Sequence, residues 1–265
     1  MDYVQLDNLQ VALVAALIVV NGAISVGLKL RLGTTLALAT IRTVVQLTLV
    51  GMCLHWVFTS AQWYVVLVLM LAMTLIAGVT AVQRTRRRHP GIWLDTLISV
   101  WVSSWLITGV VLLIVLGRID QWHHPQYVIP MLGMVLGNTL NGISLGLNSL
   151  GDTLLNRRDH IESLLALGAT RWESANESVR QSVRTGMIPI INSMMIVGIV
   201  SLPGMMTGQL LAGVDPMDAV KYQIVIMFLI ASATATGTIL VVLLGYRRLF
   251  NSQHQFRHDL IFDKE

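Results

Sequence analysis

Three carboxamides, on Asn138, Asn141 and Asn148, fall at helical spacing within one apolar stretch and so share a single stripe of it. Amides surrounded by hydrocarbon need partners. Two roles fit these: hydrogen bonds between helices of a bundle, or the polar wall of a transport path. A second feature is Met187-Ile-Pro189-Ile-Ile-Asn192, followed by Ser201-Leu-Pro203-Gly204-Met205-Met206. Pro203 removes a backbone donor and Gly204 frees the chain, so a helix should stop or kink there. Such a break marks either a substrate site or a kink used for packing. In the first case Asn192 and the freed carbonyls near Pro203 and Gly204 line the path, with Met205 and Met206 as secondary contacts. Arg42, with Gln46 one turn on along the same face, either snorkels to the inner interface or contacts an anion and gates the bundle.

No metal ligand set follows from these residues. Neutral amides and carbonyls hold a metal ion weakly. Met194, Met195, Met205 and Met206 suit Cu(I) better than iron, but methionine in an apolar helix ordinarily packs. Asp120, His123 and His124, with His55 as a further candidate, could gather on one side to hold a transition metal; exposed loop histidines more often do nothing of the kind. Catalytic patterns are absent. The lysines are Lys29, Lys221 and Lys264, and none completes the phosphate-cradling loop Gly-x-x-x-x-Gly-Lys-[Ser/Thr]. No Ser/His/Asp or His-Glu-x-x-His arrangement sits at a membrane face. The chain carries no cofactor signature of its own.

The elements that position these residues are seven apolar runs: Leu9–Leu28, Leu36–Phe58, Trp63–Val82, Leu97–Leu116, Tyr127–Leu150, Met187–Met206 and Tyr222–Tyr246. Each is about 20 residues or longer, enough helix to cross roughly 30 Å of hydrocarbon. No acidic residue falls inside any run as bounded here. The fifth run also holds Gly133-x-x-x-Gly137 and Gly142-x-x-x-Gly146, spacings that let helix backbones approach closely. The expected fold is therefore an all-α, polytopic membrane protein: one transmembrane domain over residues 1–265, with seven transmembrane helices.

Charge sets the orientation. Of the 18 Lys and Arg residues, those from Lys29 to Arg31, Arg84 to Arg88, Arg157 to Arg184 and Arg247 to Lys264 fall on one side of the ladder. Opposite them lie only Arg118 and Lys221, among Asp2, Asp7, Asp120, Asp215 and Asp218. Basic loops stay in the cytoplasm, which puts the N-terminus outside, the tail 247–265 inside, and requires an odd number of crossings. The chain is 54% hydrophobic and 12% charged, about half the charge of a soluble domain. Its net charge of +4 faces anionic lipid headgroups and needs no nucleic-acid partner. The first run is not a cleavable leader, since Asp2 and Asp7 precede it. The single Cys53 cannot form an intrachain disulfide.

One long polar segment, 151–186, separates the fifth and sixth runs. It reads as two short cytoplasmic helices broken at Gly168. Thr170 and Glu173 form a capping box that starts the second helix. Asp215-Pro216 likewise starts the last helix, with Asp215 as N-cap and Pro216 at the first helical position.

Glu162-Ser-Leu-Leu-Ala-Leu-Gly168-Ala169-Thr170 resembles the coupling motif of ABC-transporter permeases, a glutamate followed six residues later by glycine in an internal loop. The family's Ile-x-Leu-Pro ending is missing, although Met187-Ile188-Pro189 lies further on. Arg42-x-x-x-Gln46-Leu47, Ile129-Pro130 through Gly137-Asn138, Leu167 to Thr170, Ser201 to Met206, Ala212 to Pro216, Lys221-Tyr222-Gln223 and Tyr246-Arg247-Arg248 occur in order. Together they resemble the FetB-type ABC permeases, an iron-export family with plant aluminium-tolerance relatives. The resemblance implies a bacterial inner-membrane permease, assembled as a homodimer in the lipid bilayer with a separate ATPase subunit that binds ATP and Mg2+. It also implies ATPase coupling through Glu162, Gly168, Ala169, Thr170 and Glu173, and a part in metal homeostasis and oxidative-stress resistance. Iron as cargo comes from the resemblance alone. Two other classes stay open. One is a carrier driven by an ion gradient, which the lack of intramembrane carboxylates disfavours. The other is a receptor or scaffold using the basic loop to dock a partner.

Overall fold

The computed structural model describes residues 7–30, 32–60, 62–116, 124–251 and 253–263. Asp2, Arg31, Arg118, Asp120, His123 and Lys264 lie outside them. The chain forms two compact units. The first is a helical hairpin of α1 (Asn8–Gly27) and α2 (Gly33–Ser60). Its turn is held by Ser25, whose hydroxyl accepts from the Leu32 amide at 3.1 Å. Apolar side chains are exposed along both helices, which are 20 and 28 residues long. Apolar surface of that extent belongs in hydrocarbon.

The second unit contains α3 (Trp63–Arg84), β1 (Arg87–Arg88), α4 (Ile92–Val111), α5 (Pro125–Asn156), α6 (Arg158–Ala166), α7 (Arg171–Ile196), α8 (Gly204–Leu211), α9 (Pro216–Leu249) and β2 (Phe262–Asp263). At its centre α5 packs against α4, α7 and α9. The seam is drawn tight by missing side chains. A methyl group on Gly186 of α7 would stand 2.6 Å from the Gly142 carbonyl oxygen, and one on Gly142 would meet Thr234 and Thr238 of α9 at 2.7 Å. Gly142-x-x-x-Gly146 is thus a helix-packing motif, as its spacing suggests. The other pair behaves differently: nothing lies within 4 Å of the position a Gly137 side chain would take.

Six described helices are long and apolar enough to cross a membrane: α1, α2, α3, α4 with its continuation to Ile114, α5 and α9. The protein is therefore an all-α, polytopic membrane protein. The run expected to form the sixth pass is not among them. Its apolar residues share α7 with a polar first half, and the helix ends at Ile196 rather than at Pro203. Gly198 then takes a φ of +80°, Val197 bridges to Ser201, and Pro203 immediately precedes α8. The break comes seven residues earlier than Pro203-Gly204 suggests, where the chain turns at Gly198 in a left-handed φ. Helix α7 nonetheless runs the length of α9. Trp172 at its start packs edge-on to Tyr246, and Met194 near its end shares a cavity with Gln223 and Met227.

The fourth helix starts at Ile92, five residues before the apolar run, and so includes Asp95. The expectation of spans free of carboxylates is overturned there. Asp95 is only 2% exposed, and its Oδ2 takes Nε2 of His89 at 3.1 Å and Nε of Arg248 at 2.5 Å. A carboxylate enters an apolar helix at this depth because two bases meet it.

Candidate functional site

The arginine-rich end of the second unit carries a knuckle between α6 and α7. Gly168 follows α6 with a φ of +92°, which L side chains rarely adopt. Its amide donates to the Leu165 carbonyl at 3.0 Å, and the Ala169 amide reaches back to Leu164 at 3.0 Å. These two bonds satisfy the last carbonyls of the helix. Thr170 then caps α7. Its hydroxyl accepts from the Glu173 amide at 3.3 Å, while Glu173 accepts from the Thr170 amide and hydroxyl, each at 2.8 Å. The Thr170 amide, and then its hydroxyl, hold the Glu173 carboxyl below the usual glutamate range. Between the two caps Leu167 is 84% exposed. Glu162 lies one turn back, bonded by Arg158 at 2.8 Å. The break-and-recap pattern read from the sequence is thus present, and Glu162, Gly168, Ala169, Thr170 and Glu173 fall together on one small projection.

The tail fastens this projection to the bundle. The Arg171 amide donates to Nδ1 of His254 at 3.0 Å, and His258 approaches Glu162 at 3.8 Å. Trp172, Tyr246, Phe250 and Phe256 form a chain of ring contacts with centroids 5.1 to 5.6 Å apart. Beyond them β2 pairs antiparallel with β1, placing Asp263 opposite Arg87. Arg87 bonds Asp152 at 2.8 Å and Asp263 at 2.9 Å. Its hydrogen bond to Asp152 raises its pKa further, so it stays charged at every accessible pH.

The proposed polar path is distributed differently. Asn138 donates to the Met134 carbonyl in its own helix at 2.9 Å. Asn141 accepts from Nη1 of Arg84 at 2.6 Å, and Asn148 accepts from the Arg86 and Arg87 amides at 2.7 and 3.3 Å. The stripe therefore meets the end of α3 and the loop beyond it. Asn192 is exposed near the end of α7. Arg42 and Gln46 are exposed one turn apart on α2, in the first unit. Of the break residues, Met206 lines a cavity of about 380 Å³ between α7, α8 and α9; Pro203, Gly204 and Met205 do not. Met194, Leu202, Gln223, Met227 and Phe228 also line it. Among the described residues no three His, Cys, Asp or Glu side chains gather as metal ligands. His124 precedes α5 in the second unit and His55 lies in α2 of the first, while Asp120 and His123 lie outside the described residues.

With this geometry in hand, comparison with known proteins is decisive at the level of family. Residues 8–250 match the family described as "Uncharacterised protein family (UPF0014)". The chain belongs to UPF0014. It is 41% identical to a UPF0014 membrane protein of Synechocystis over 81% of this chain and 82% of that one. It is 34% identical to the probable iron export permease protein FetB of Escherichia coli, over 94% of this chain and 95% of FetB. The rice UPF0014 membrane protein STAR2 is 32% identical over 94% of this chain and 86% of its own. No solved structure matches. The resemblance to iron-export permeases is borne out. This UPF0014 protein is a multi-pass membrane protein of a permease family.

Two features of its geometry escaped sequence reasoning. Asp95 was hidden because the apolar run was begun at Leu97; Ile92-Trp93-Leu94 ahead of it was the available signal. Gln223 belongs to the motif Lys221-Tyr222-Gln223, but nothing in the sequence shows that its amide is buried with an unmet oxygen.

Proposed function

We propose that this chain is the membrane subunit of an ABC exporter that moves iron or another metal ion out of the cytoplasm. A separate ATPase subunit binds ATP and Mg2+, and two copies of each subunit make the working unit. The observation that carries this reading is the knuckle: an exposed leucine between two satisfied helix ends, beside Glu162, at the arginine-rich end. A rigid apolar tip on a charged stalk suits insertion into a groove of a soluble motor. The name borne by the Escherichia coli relative supports export and iron as the cargo.

In this reading the arginine-rich end is cytoplasmic and the N-terminus outside. Helix α7 together with α8 supplies the sixth of seven crossings, since α7 carries the chain from the Tyr246 end of α9 to its Gln223 end. ATP binding closes the motor, pushes on α6 and α7, and rocks α5 and α7 between inward and outward access. The route lies along Asn138, Asn141 and Asn192, with the backbone around Pro203 and Gly204 and with Met205 and Met206 beside it. Asp95 gives a gradient-driven carrier little support, because His89 and Arg248 already occupy its carboxylate.

The test is reconstitution with a candidate ABC ATPase subunit from the same genome. Glu162→Arg should lose ATPase co-purification while the permease still inserts and folds; unchanged co-purification would sink the docking assignment. In the wild-type complex a panel of metal ions should stimulate ATP hydrolysis selectively. Asn141→Leu should remove that stimulation and leave basal hydrolysis intact. An identical loss in Arg84→Gln would assign Asn141 to packing instead.

A further inference from the structure

The cavity between α7, α8 and α9 contains a chemical contradiction. Its wall is thioether and hydrocarbon: Met194, Leu202, Met206, Met227 and Phe228. One amide stands in that wall, Gln223, a residue only 7% exposed whose Oε1 is covered by protein and meets no hydrogen-bond partner among the described residues. A buried acceptor left unmet is costly, and apolar surroundings raise that cost. The volume of about 380 Å³ falls in the range of small-molecule sites and far exceeds the space of a single ion. No titratable side chain lines it.

We infer that this cavity binds a small, neutral, largely apolar molecule carrying one hydrogen-bond donor, toward which the Gln223 amide turns its unmet Oε1. The apolar body fills the space between the methionines, whose flexible side chains adjust to its outline. The single acceptor fixes its orientation. The route of access is lateral. Leu202 and Phe228 are themselves exposed, and beside them Ile199 is 86% exposed, so the mouth opens on an apolar flank rather than on a charged end. In a membrane protein such a flank meets lipid, and a lipid-soluble ligand reaches it from within the bilayer. The site does not depend on the exporter reading; it stands if the cargo is a metal ion and if it is not.

The probe is 4-[3-(trifluoromethyl)-3H-diazirin-3-yl]benzyl alcohol, a photoreactive apolar ring with one hydroxyl donor, compared with its methyl ether, which has none. The full chain in lipid nanodiscs is irradiated over a concentration series and the adducts are mapped by mass spectrometry. Saturable labelling of the peptide spanning Gln223–Phe228 is expected, with half-saturation by the alcohol roughly fivefold lower than by the ether, the effect of one hydrogen bond. Gln223→Leu should erase the difference between the two probes without abolishing labelling by the ether. Val220→Trp, which fills the cavity from its rim, should suppress labelling by both. Labelling that rises linearly and follows exposure, with Ile199 and Val200 marked most, overturns the proposal. So does equal half-saturation of the two probes in the wild type. Displacement of the alcohol by silver ion would show a thioether metal site instead. Labelling seen in monomer nanodiscs but lost in dimer nanodiscs would show that a second copy covers the face.

Discussion

Replacement of Gly168 tests the knuckle most directly, because the structure separates backbone from packing there. Its φ is +92°, and nothing lies within 4 Å of the position a β-carbon would occupy. Gly168→Ala therefore costs only the left-handed backbone, about 1–2 kcal/mol. Gly168→Asn costs less, since asparagine visits this conformation readily. Gly168→Pro loses the amide that donates to Leu165 and demands a φ near −65°, a cost of about 3 kcal/mol or more. If the ATPase subunit binds only the knuckle as folded, each cost lowers the fraction of competent permease. At 1.4 kcal/mol per tenfold, the apparent Kd should rise by up to about 5- to 30-fold for alanine, by less for asparagine, and by the most for proline, the full factor appearing where the cost exceeds the local stability of the knuckle. The assay is titration of the purified ATPase subunit against immobilised permease, with the melting temperature of each variant measured alongside. A proline variant that binds as the wild type does refutes the docking argument. A loss of binding that tracks only global unfolding refutes it equally.

Four further outcomes follow from other parts of the molecule. Asp95→Asn should lower thermal stability in a fixed detergent by an amount near the low end of about 3–5 kcal/mol, because Arg248, whose side chain is partly exposed, softens the loss. Gly186→Ala should destabilise by about 1–3 kcal/mol, its methyl group meeting the Gly142 carbonyl, whereas Gly137→Ala should be nearly neutral. The Glu173 carboxyl is depressed in the folded chain, so its support for α7 is complete above the ordinary glutamate value of about 4.3 and is lost as pH falls through its lower folded value. Protection factors at the start of α7, with the intrinsic pH dependence of exchange divided out, should fall over that window in the wild type and stay constant there in Glu173→Gln. In a Cys53→Ala background, Asp218→Cys should react with an impermeant thiol reagent outside intact cells and Arg86→Cys only after the membrane is opened; the reverse would invert the assigned orientation.

The helical ladder and the knuckle were legible because both rest on local signals. Hydrophobic length marks a span, and Gly168-Ala169-Thr170 with Glu173 states its own turn and cap. What depends on distant partners was not. The asparagine stripe has helical spacing whatever it faces, and only the structure shows Arg84 meeting Asn141 and the Arg86 amide meeting Asn148. Nothing in the sequence pairs Asp95 with Arg248, 153 residues away. The break after α7 fell at Gly198 because a left-handed glycine ends a helix as well as Pro203 does, and the sequence offers both. The tail was expected only as a short appendage. Its phenylalanines have a partner only once Tyr246 and Trp172 are brought beside them.

That tail has a consequence for the order in which the protein is made. The ring stack and the β1–β2 pairing that brace the arginine-rich end draw on Phe256, Phe262 and Asp263, all synthesised after the last helix. Nascent chains insert from the N-terminus onward, so every helix is available to the membrane before its brace exists. Until residue 263 has emerged, Arg87 lacks one of its two carboxylates and the start of α7 lacks the contacts that hold it. A chain lacking residues 254–263 would keep every apolar helix and leave that face unbraced. The brace thus separates chains that have merely been threaded into the bilayer from those whose arginine-rich face is finished.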